Sequence, residues 1–109
     1  PVDDLKCIEG MLKNSNLIVS AWDKGKLIGI SRCVTDFSYC CYLSDLAVSI
    51  PYQELGVGKQ LQDRTQNQLG PRCKLILIAA PAANDYYGHV GYKHNERCWV
   101  LEPEDTVNI

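Results

Sequence analysis

The seven residues Gln53, Glu54, Leu55, Gly56, Val57, Gly58 and Lys59 hold the clearest chemistry in this sequence. The stretch before them, residues 42–48, is rich in aromatic and branched side chains and reads as a strand. Pro51 and the glycine pair then turn the chain, and the residues that follow open a helix. A strand that passes through a glycine-bearing turn into a helix presents unpaired backbone N–H groups at the positive end of the helix dipole. That arrangement suits a phosphate or pyrophosphate. Gly56 and Gly58 have no Cβ, so a ligand can come close to the main chain there.

Two common phosphate loops fail on spacing. A Walker A loop needs glycine ahead of its Gly-Lys pair and Ser or Thr after it, but Gly58-Lys59 has Gln53 at the first position and Gln60 at the second. A dinucleotide fingerprint needs a third glycine where Leu61 stands, and an acidic residue near Ile78, which lies in an apolar run. The hexapeptide from Gln53 to Gly58 instead resembles the (Arg/Gln)-x-x-Gly-x-(Gly/Ala) signature of the GCN5-related N-acetyltransferases. Asp45-Leu46-Ala47-Val48 before it, and Tyr86-Tyr87-Gly-His-Val-Gly91-Tyr92 after it, strengthen the likeness, which extends over residues 17–101.

The resemblance implies an acetyl-CoA-dependent transfer of an acetyl group to a primary amine, on a small molecule or a protein, within a ternary complex. Backbone amides of Gly56, Val57, Gly58 and Lys59, led into by Gln53, Glu54 and Leu55, would hold the pyrophosphate. The backbone of Leu46, Ala47 and Val48 would face the pantetheine arm and the thioester carbonyl. Tyr87 matches the family tyrosine that commonly protonates the departing thiolate, whereas Tyr86 and Tyr92 match packing positions. Asp45 could take the ammonium proton, directly or through water; Glu54 is the weaker candidate for that base. The family asparagine seven residues before the tyrosine is Ala80 here; Asn84, one turn before Tyr87, is counted with the cofactor contacts although it does not hold the family position. Gly88 within a short helix costs on the order of 1 kcal/mol relative to alanine.

The elements that must position these groups follow from periodicity. Residues 3–13 read as a helix capped by Asp3, with Leu5, Ile8 and Leu12 at helical spacing. Residues 17–22, 27–35 and 39–48 read as three strands joined by turns at Asp23-Lys-Gly25-Lys and Asp36-Phe-Ser38, an antiparallel meander. Val57, Leu61, Thr65 and Leu69 give the next helix one buried face, ended by Gly70-Pro71. Residues 74–80 form a continuous apolar run, which suggests a strand covered on both faces. Strand, helix, strand then makes a right-handed crossover between parallel strands. Pro81 opens a helix over residues 82–90 with Gly91 past its end, and residues 98–101 read as a last strand. The whole is an α+β fold of the acetyltransferase type: a mixed, mainly antiparallel sheet flanked by helices, with the parallel crossover at the acetyl-CoA site. Members of the family usually begin with a strand ahead of their first helices. This chain starts with Pro1-Val2 directly before a helix, so it lacks that strand or is trimmed of it.

Composition bounds the rest. With 109 residues, 46% of them hydrophobic, the chain suits a single domain, residues 1–109. A net charge of −2 gives no reason to expect a nucleic-acid groove or an anionic membrane surface, no run is long enough to span a bilayer, and no signal peptide is evident. The six cysteines include no Cys-x-x-Cys pair and lie mostly in apolar runs, which suggests reduced thiols in the cytoplasm. His89 and His94 complete no zinc spacing, so no metal is expected. Cys40 or Cys41 would offer a covalent route only if it lined the cleft. A non-catalytic acetyl-CoA- or CoA-binding module remains the alternative. Homodimers are common in the family, and an exposed strand at either end of the sheet could pair with a copy of the chain.

Overall fold

A computed structural model describes residues 3–109. They fall into two compact units, the first reaching to Ile78 and the second running from Ala79 to Ile109.

The first unit opens with α1, Leu5–Asn14. Its cap is Asp4 rather than the expected Asp3: the Asp4 carboxylate accepts the Cys7 N–H at 3.0 Å, satisfying one of the orphan donors of the first turn. The anticipated apolar stripe is only partly used. Ile8 and Met11 are half-buried, while Leu5 and Leu12 are exposed.

Three antiparallel strands follow: β1 (Leu17–Asp23), β2 (Lys26–Thr35) and β3 (Cys40–Val48). The β1–β2 turn has Lys24 and Gly25 at φ 50° and 80°, the positive values a two-residue hairpin needs. In the β2–β3 turn one Asp36 carboxylate oxygen accepts the N–H groups of Ser38, Tyr39 and Cys40 at 2.9, 2.8 and 3.1 Å. These bonds, that from Tyr39 first, hold the Asp36 carboxyl below the usual carboxylate range. The β2–β3 register shifts between Arg32 and Cys33, because Asp45 pairs with Arg32 and Leu43 with Cys33, leaving Ser44 as the extra residue of a bulge.

The crossover is present. Helix α2 (Val57–Asn67) connects β3 to β4 (Lys74–Ile76), which pairs parallel to β3 with Leu75 opposite Cys41. The sheet order is β1-β2-β3-β4, a mixed sheet with antiparallel and parallel pairs. Two expectations for this region need correction. Ladder pairing stops at Ile76 rather than Ala80, and the apolar run is not covered on both faces. Burial alternates along it: Leu75, Leu77 and Ala79 are half-buried, while Ile76 and Ile78 are exposed. Residues on one face pack with the Cys33, Cys41 and Leu43 core; Ile76 instead pairs with Tyr42, itself opposite Val34, on an exposed row.

Helix α2 lies very close to β2. A Cβ added to Gly29 would stand 3.0 Å from Leu61 Cδ1 and 3.3 Å from both Val57 Cγ1 and the Ala47 carbonyl oxygen. Beside this contact the buried Ser31 and Thr65 hydroxyls are 2.9 Å apart. Thr65 gives its one proton to the Leu61 carbonyl at 2.6 Å, so Ser31 is the donor to Thr65.

In the second unit a 3₁₀ turn at Pro81–Ala83 leads into α3, Asn84–His89. Gly91 follows at φ 109°, and the Tyr92 N–H donates to the Tyr87 carbonyl at 3.1 Å. The strand expected over residues 98–101 is absent: these residues are irregular and exposed, Trp99 at 90%. Their apolar content has the composition of a strand, but no strand of the described residues offers them a ladder.

Gly29→Val should lower the stability of the fold by about 1–3 kcal/mol in urea denaturation, and Gly29→Ala by less, because a branched side chain must displace both Leu61 and Val57. An unchanged midpoint would contradict the close seat of α2. The thiols should also divide by burial. Cys7, Cys40 and Cys98 are exposed, whereas Cys33 and Cys41 are wholly buried. Burial, and then the neighbouring Cys33, push the Cys41 thiol up to about 12. A thiol-reactive dye at neutral pH should label the three exposed residues promptly, and Cys33 and Cys41 only on unfolding.

Candidate functional site

The glycine turn takes the form its residue types require. A 3₁₀ turn over Ile50–Tyr52 follows β3, and its entry is tied to the sheet by the Ser49 N–H, which donates to the Ile28 carbonyl at 2.8 Å. Gln53 folds back, its side-chain amide donating to the Val48 carbonyl at 3.0 Å. Glu54 then adopts φ 66°, and Gly56, the N-cap of α2, adopts φ 85° and ψ 4°. Only glycine takes that left-handed conformation without cost from a Cβ.

No side chain caps α2. Its first intrahelical donor is the Gln60 N–H, bonded to the Gly56 carbonyl at 3.1 Å. The amides of Val57, Gly58 and Lys59 therefore belong to the first turn, where backbone donors have no partner within the helix. A Cβ built on Gly56 would meet nothing within 4 Å, so open space lies in front of the turn. First-turn amides at the dipole end, with open space before them, make a cradle that suits an anion. Asp63 is the nearest acidic side chain along α2 and lies beyond the first turn, while Lys59 is exposed within it. Leu46, Ala47 and Val48 stand at the end of β3 that leads into this turn, with Ala47 exposed and the other two half-buried.

Asp45 lies on the same strand, next to the Ser44 bulge, and has a partner that the sequence does not announce. Arg32 Nε donates to Asp45 Oδ2 at 2.6 Å. The guanidinium also donates to Ser15 Oγ at 2.8 Å, to Ser44 Oγ at 2.7 Å and, more weakly, to the Met11 carbonyl at 3.4 Å. The Arg32 side chain is 6% exposed and that of Asp45 48%. One buried fork thus fixes the carboxylate, the bulge and the last turn of α1 together. An arginine amid the buried run of β2 is the available signal that such a set of partners must exist.

A second tie also joins distant residues. The Tyr52 hydroxyl donates to Asp23 Oδ2 at 2.6 Å, linking the glycine turn to the last residue of β1. Asp23 raises the Tyr52 pKa above its ordinary value chiefly through this bond, so the phenol stays protonated.

In the second unit Tyr87 sits on α3 between two edge-on rings, Tyr86 at 5.1 Å and Tyr92 at 5.3 Å between centroids. Burial, and then Tyr86, raise its pKa above the ordinary tyrosine value. Asn84 opens the same helix one turn earlier and is exposed. Among the described residues, no cluster of His, Cys, Asp and Glu is arranged to hold a metal ion, and no helix is long and apolar enough to cross a membrane.

Comparisons with known proteins identify the family and the fold. The family described as the acetyltransferase (GNAT) domain matches residues 2–99. An uncharacterised N-acetyltransferase, ycf52-like, of Prochlorococcus marinus is 28% identical over 106 residues, covering 92% of this chain and 55% of its own length. An uncharacterised N-acetyltransferase, ycf52, of Pyropia yezoensis is 29% identical over 94 residues, covering 81% of this chain and 54% of its own. The chain thus spans little more than half the length of these relatives. Among solved structures, a GNAT-family acetyltransferase of Streptococcus pneumoniae superposes with a TM-score of 0.72 at 21% identity, over 87% of this chain and 78% of that one. An aminoglycoside N-acetyltransferase in complex with CoA superposes with a TM-score of 0.70 at 20% identity, over 92% and 85%. These likenesses show the fold, and with the family match over residues 2–99 they establish that the chain belongs to the GNAT acetyltransferase family.

Proposed function

We propose that the protein is an acetyl-CoA-dependent N-acetyltransferase that acts on a primary amine of a small molecule or a protein by direct transfer. The observation that carries this reading is the uncapped first turn of α2 behind a left-handed Gly56. The pyrophosphate of acetyl-CoA would accept the amides of Gly56, Val57, Gly58 and Lys59, with Gln53, Glu54 and Leu55 shaping the approach. The backbone of Leu46, Ala47 and Val48 would align the pantetheine arm and polarise the thioester carbonyl, and Asn84 would add a cofactor contact. The acceptor nitrogen would attack that carbonyl carbon, the C–S bond would break, the thiolate would take the Tyr87 proton, and the second proton of the acylated nitrogen would return through water to the Tyr87 oxygen. Asp45 accepts the proton that the ammonium loses, directly or through water. Its carboxylate is half-exposed, and the Arg32 bond that orients it engages Oδ2. That one solved neighbour holds CoA supports the choice of cofactor.

Residues 1–109 act in this proposal as one acetyltransferase domain of a cytoplasmic protein. Six cysteines without a Cys-x-x-Cys pair, mostly in apolar runs, support this reading. Homodimerisation is part of the same proposal, since β1 and β4 are the outer strands of the first unit's sheet and each offers an edge to a copy.

Calorimetric titration with acetyl-CoA, with ATP and NAD as controls, tests the cofactor. Saturable binding of acetyl-CoA alone is expected, weakened at least about tenfold by Gly56→Glu, which places a strained backbone and a negative charge in the cradle. Absence of binding by the folded chain would refute the assignment. Tyr87→Phe should leave acetyl-CoA affinity unchanged and lower kcat by about 10²-fold or more. Binding without turnover in the parent would instead identify a non-catalytic CoA module. Because the Tyr87 pKa is raised, the protonated phenol persists above its ordinary titration range. The alkaline fall in kcat assigned to Tyr87 should therefore come above about pH 10, and be missing from the residual activity of Tyr87→Phe.

A further inference from the structure

We propose that Tyr52 and Asp23 form a strut that sets acetyl-CoA affinity, the β1–β2 hairpin holding the glycine turn in its binding conformation. The inference rests on the cofactor reading above and adds two positioning residues that touch no ligand themselves.

The turn over residues 49–56 must keep two residues at positive φ, Glu54 at 66° and Gly56 at 85°, the first of them unfavourable for a residue with a side chain. Local bonds account for its base: Tyr52 N–H to the Ser49 carbonyl at 2.8 Å, Gln53 N–H to the Ile50 carbonyl at 3.2 Å, and the Gln53 amide to Val48. These span five residues or fewer and would move with the turn. The Ser49 bond to Ile28 fixes only its entry. The Tyr52 hydroxyl, 29 residues from Asp23 in sequence, ties the middle of the turn to a separate piece of the sheet.

The other end of the strut lies on the β1–β2 hairpin. Asp23 ends β1, paired with Lys26 across the tight Lys24–Gly25 turn, so its carboxylate is carried by a closed hairpin. The phenol is half-buried, and at neutral pH it is the donor and the carboxylate the acceptor. Two residues past Tyr52, the chain enters the left-handed step at Glu54 that brings Gly56 to the mouth of α2. Releasing Tyr52 lets the turn sample other conformations, and acetyl-CoA must then select the competent one, which lowers apparent affinity without altering the bound state.

The test is acetyl-CoA titration and steady-state kinetics on the full chain and three variants. Tyr52→Phe removes only the hydroxyl, and Asp23→Ala only the acceptor. Asp23→Asn keeps an accepting oxygen at the same place. The strut predicts that Tyr52→Phe and Asp23→Ala each raise the Kd and KM for acetyl-CoA by about three- to tenfold, the range of one net hydrogen bond. It predicts kcat at saturating acetyl-CoA within about twofold of the parent, and affinity largely restored in Asp23→Asn. Circular dichroism should show all variants folded; should Asp23→Ala fail to fold, the comparison of Tyr52→Phe with Asp23→Asn decides. Unchanged affinity in Tyr52→Phe, a fall in kcat without a rise in KM, or an Asp23→Asn defect as large as that of Tyr52→Phe would overturn the strut. Failure of the folded parent to bind acetyl-CoA would overturn the cofactor reading itself, and the strut with it.

Discussion

Everything functional in the first unit depends on how closely α2 is seated against β2. Gly29 leaves room for Leu61 and Val57, and the Ser31–Thr65 hydroxyl bond locks the helix in register with the strand. A helix held at that distance has its first turn fixed in space, and the amides of Val57, Gly58 and Lys59 are fixed with it. Preorganised donors of this kind are effective because no reorganisation is needed when the anion arrives. The apolar contact and the buried hydroxyl pair thus serve the cradle as well as the core.

The two long-range polar ties act in different places on the same scaffold. Arg32 gathers Asp45, Ser44, Ser15 and the end of α1 around one buried guanidinium. Removing one member of such a set would leave buried donors without acceptors, a cost greater than the net worth of the bonds themselves. Tyr52 and Asp23 work at the other end of the sheet, where the hairpin meets the glycine turn. The bulge at Ser44 belongs to the Arg32 region and interrupts the regular β2–β3 pairing beside Asp45.

Sequence alone carries the local features well. Branched and aromatic stretches between short turns marked β1, β2 and β3, Gly25 and Asp36 marked their turns, and the glycine pair marked the start of α2. What the chain does not write locally was harder to find. Asp3 and Asp4 are both good caps, and only geometry selects Asp4. The length of β4 depends on its partner: the apolar run continues to Ala80, but the ladder with β3 ends at Ile76. Residues 98–101 have a strand's composition without a strand to pair with. The partners of Arg32 lie 12 to 21 residues away, and those of Tyr52 and Asp23 29 apart, separations that no spacing rule predicts.

The central claim is that the first turn of α2 receives the pyrophosphate of acetyl-CoA. Backbone amide NMR of the protein during titration with acetyl-CoA reads those donors directly. Saturable shifts in the amides of Gly56, Val57, Gly58 and Lys59, larger than those of residues in β1 and α1, are the predicted result. Saturable binding with these four amides unmoved would contradict the account, for the ligand would then be held somewhere other than the cradle.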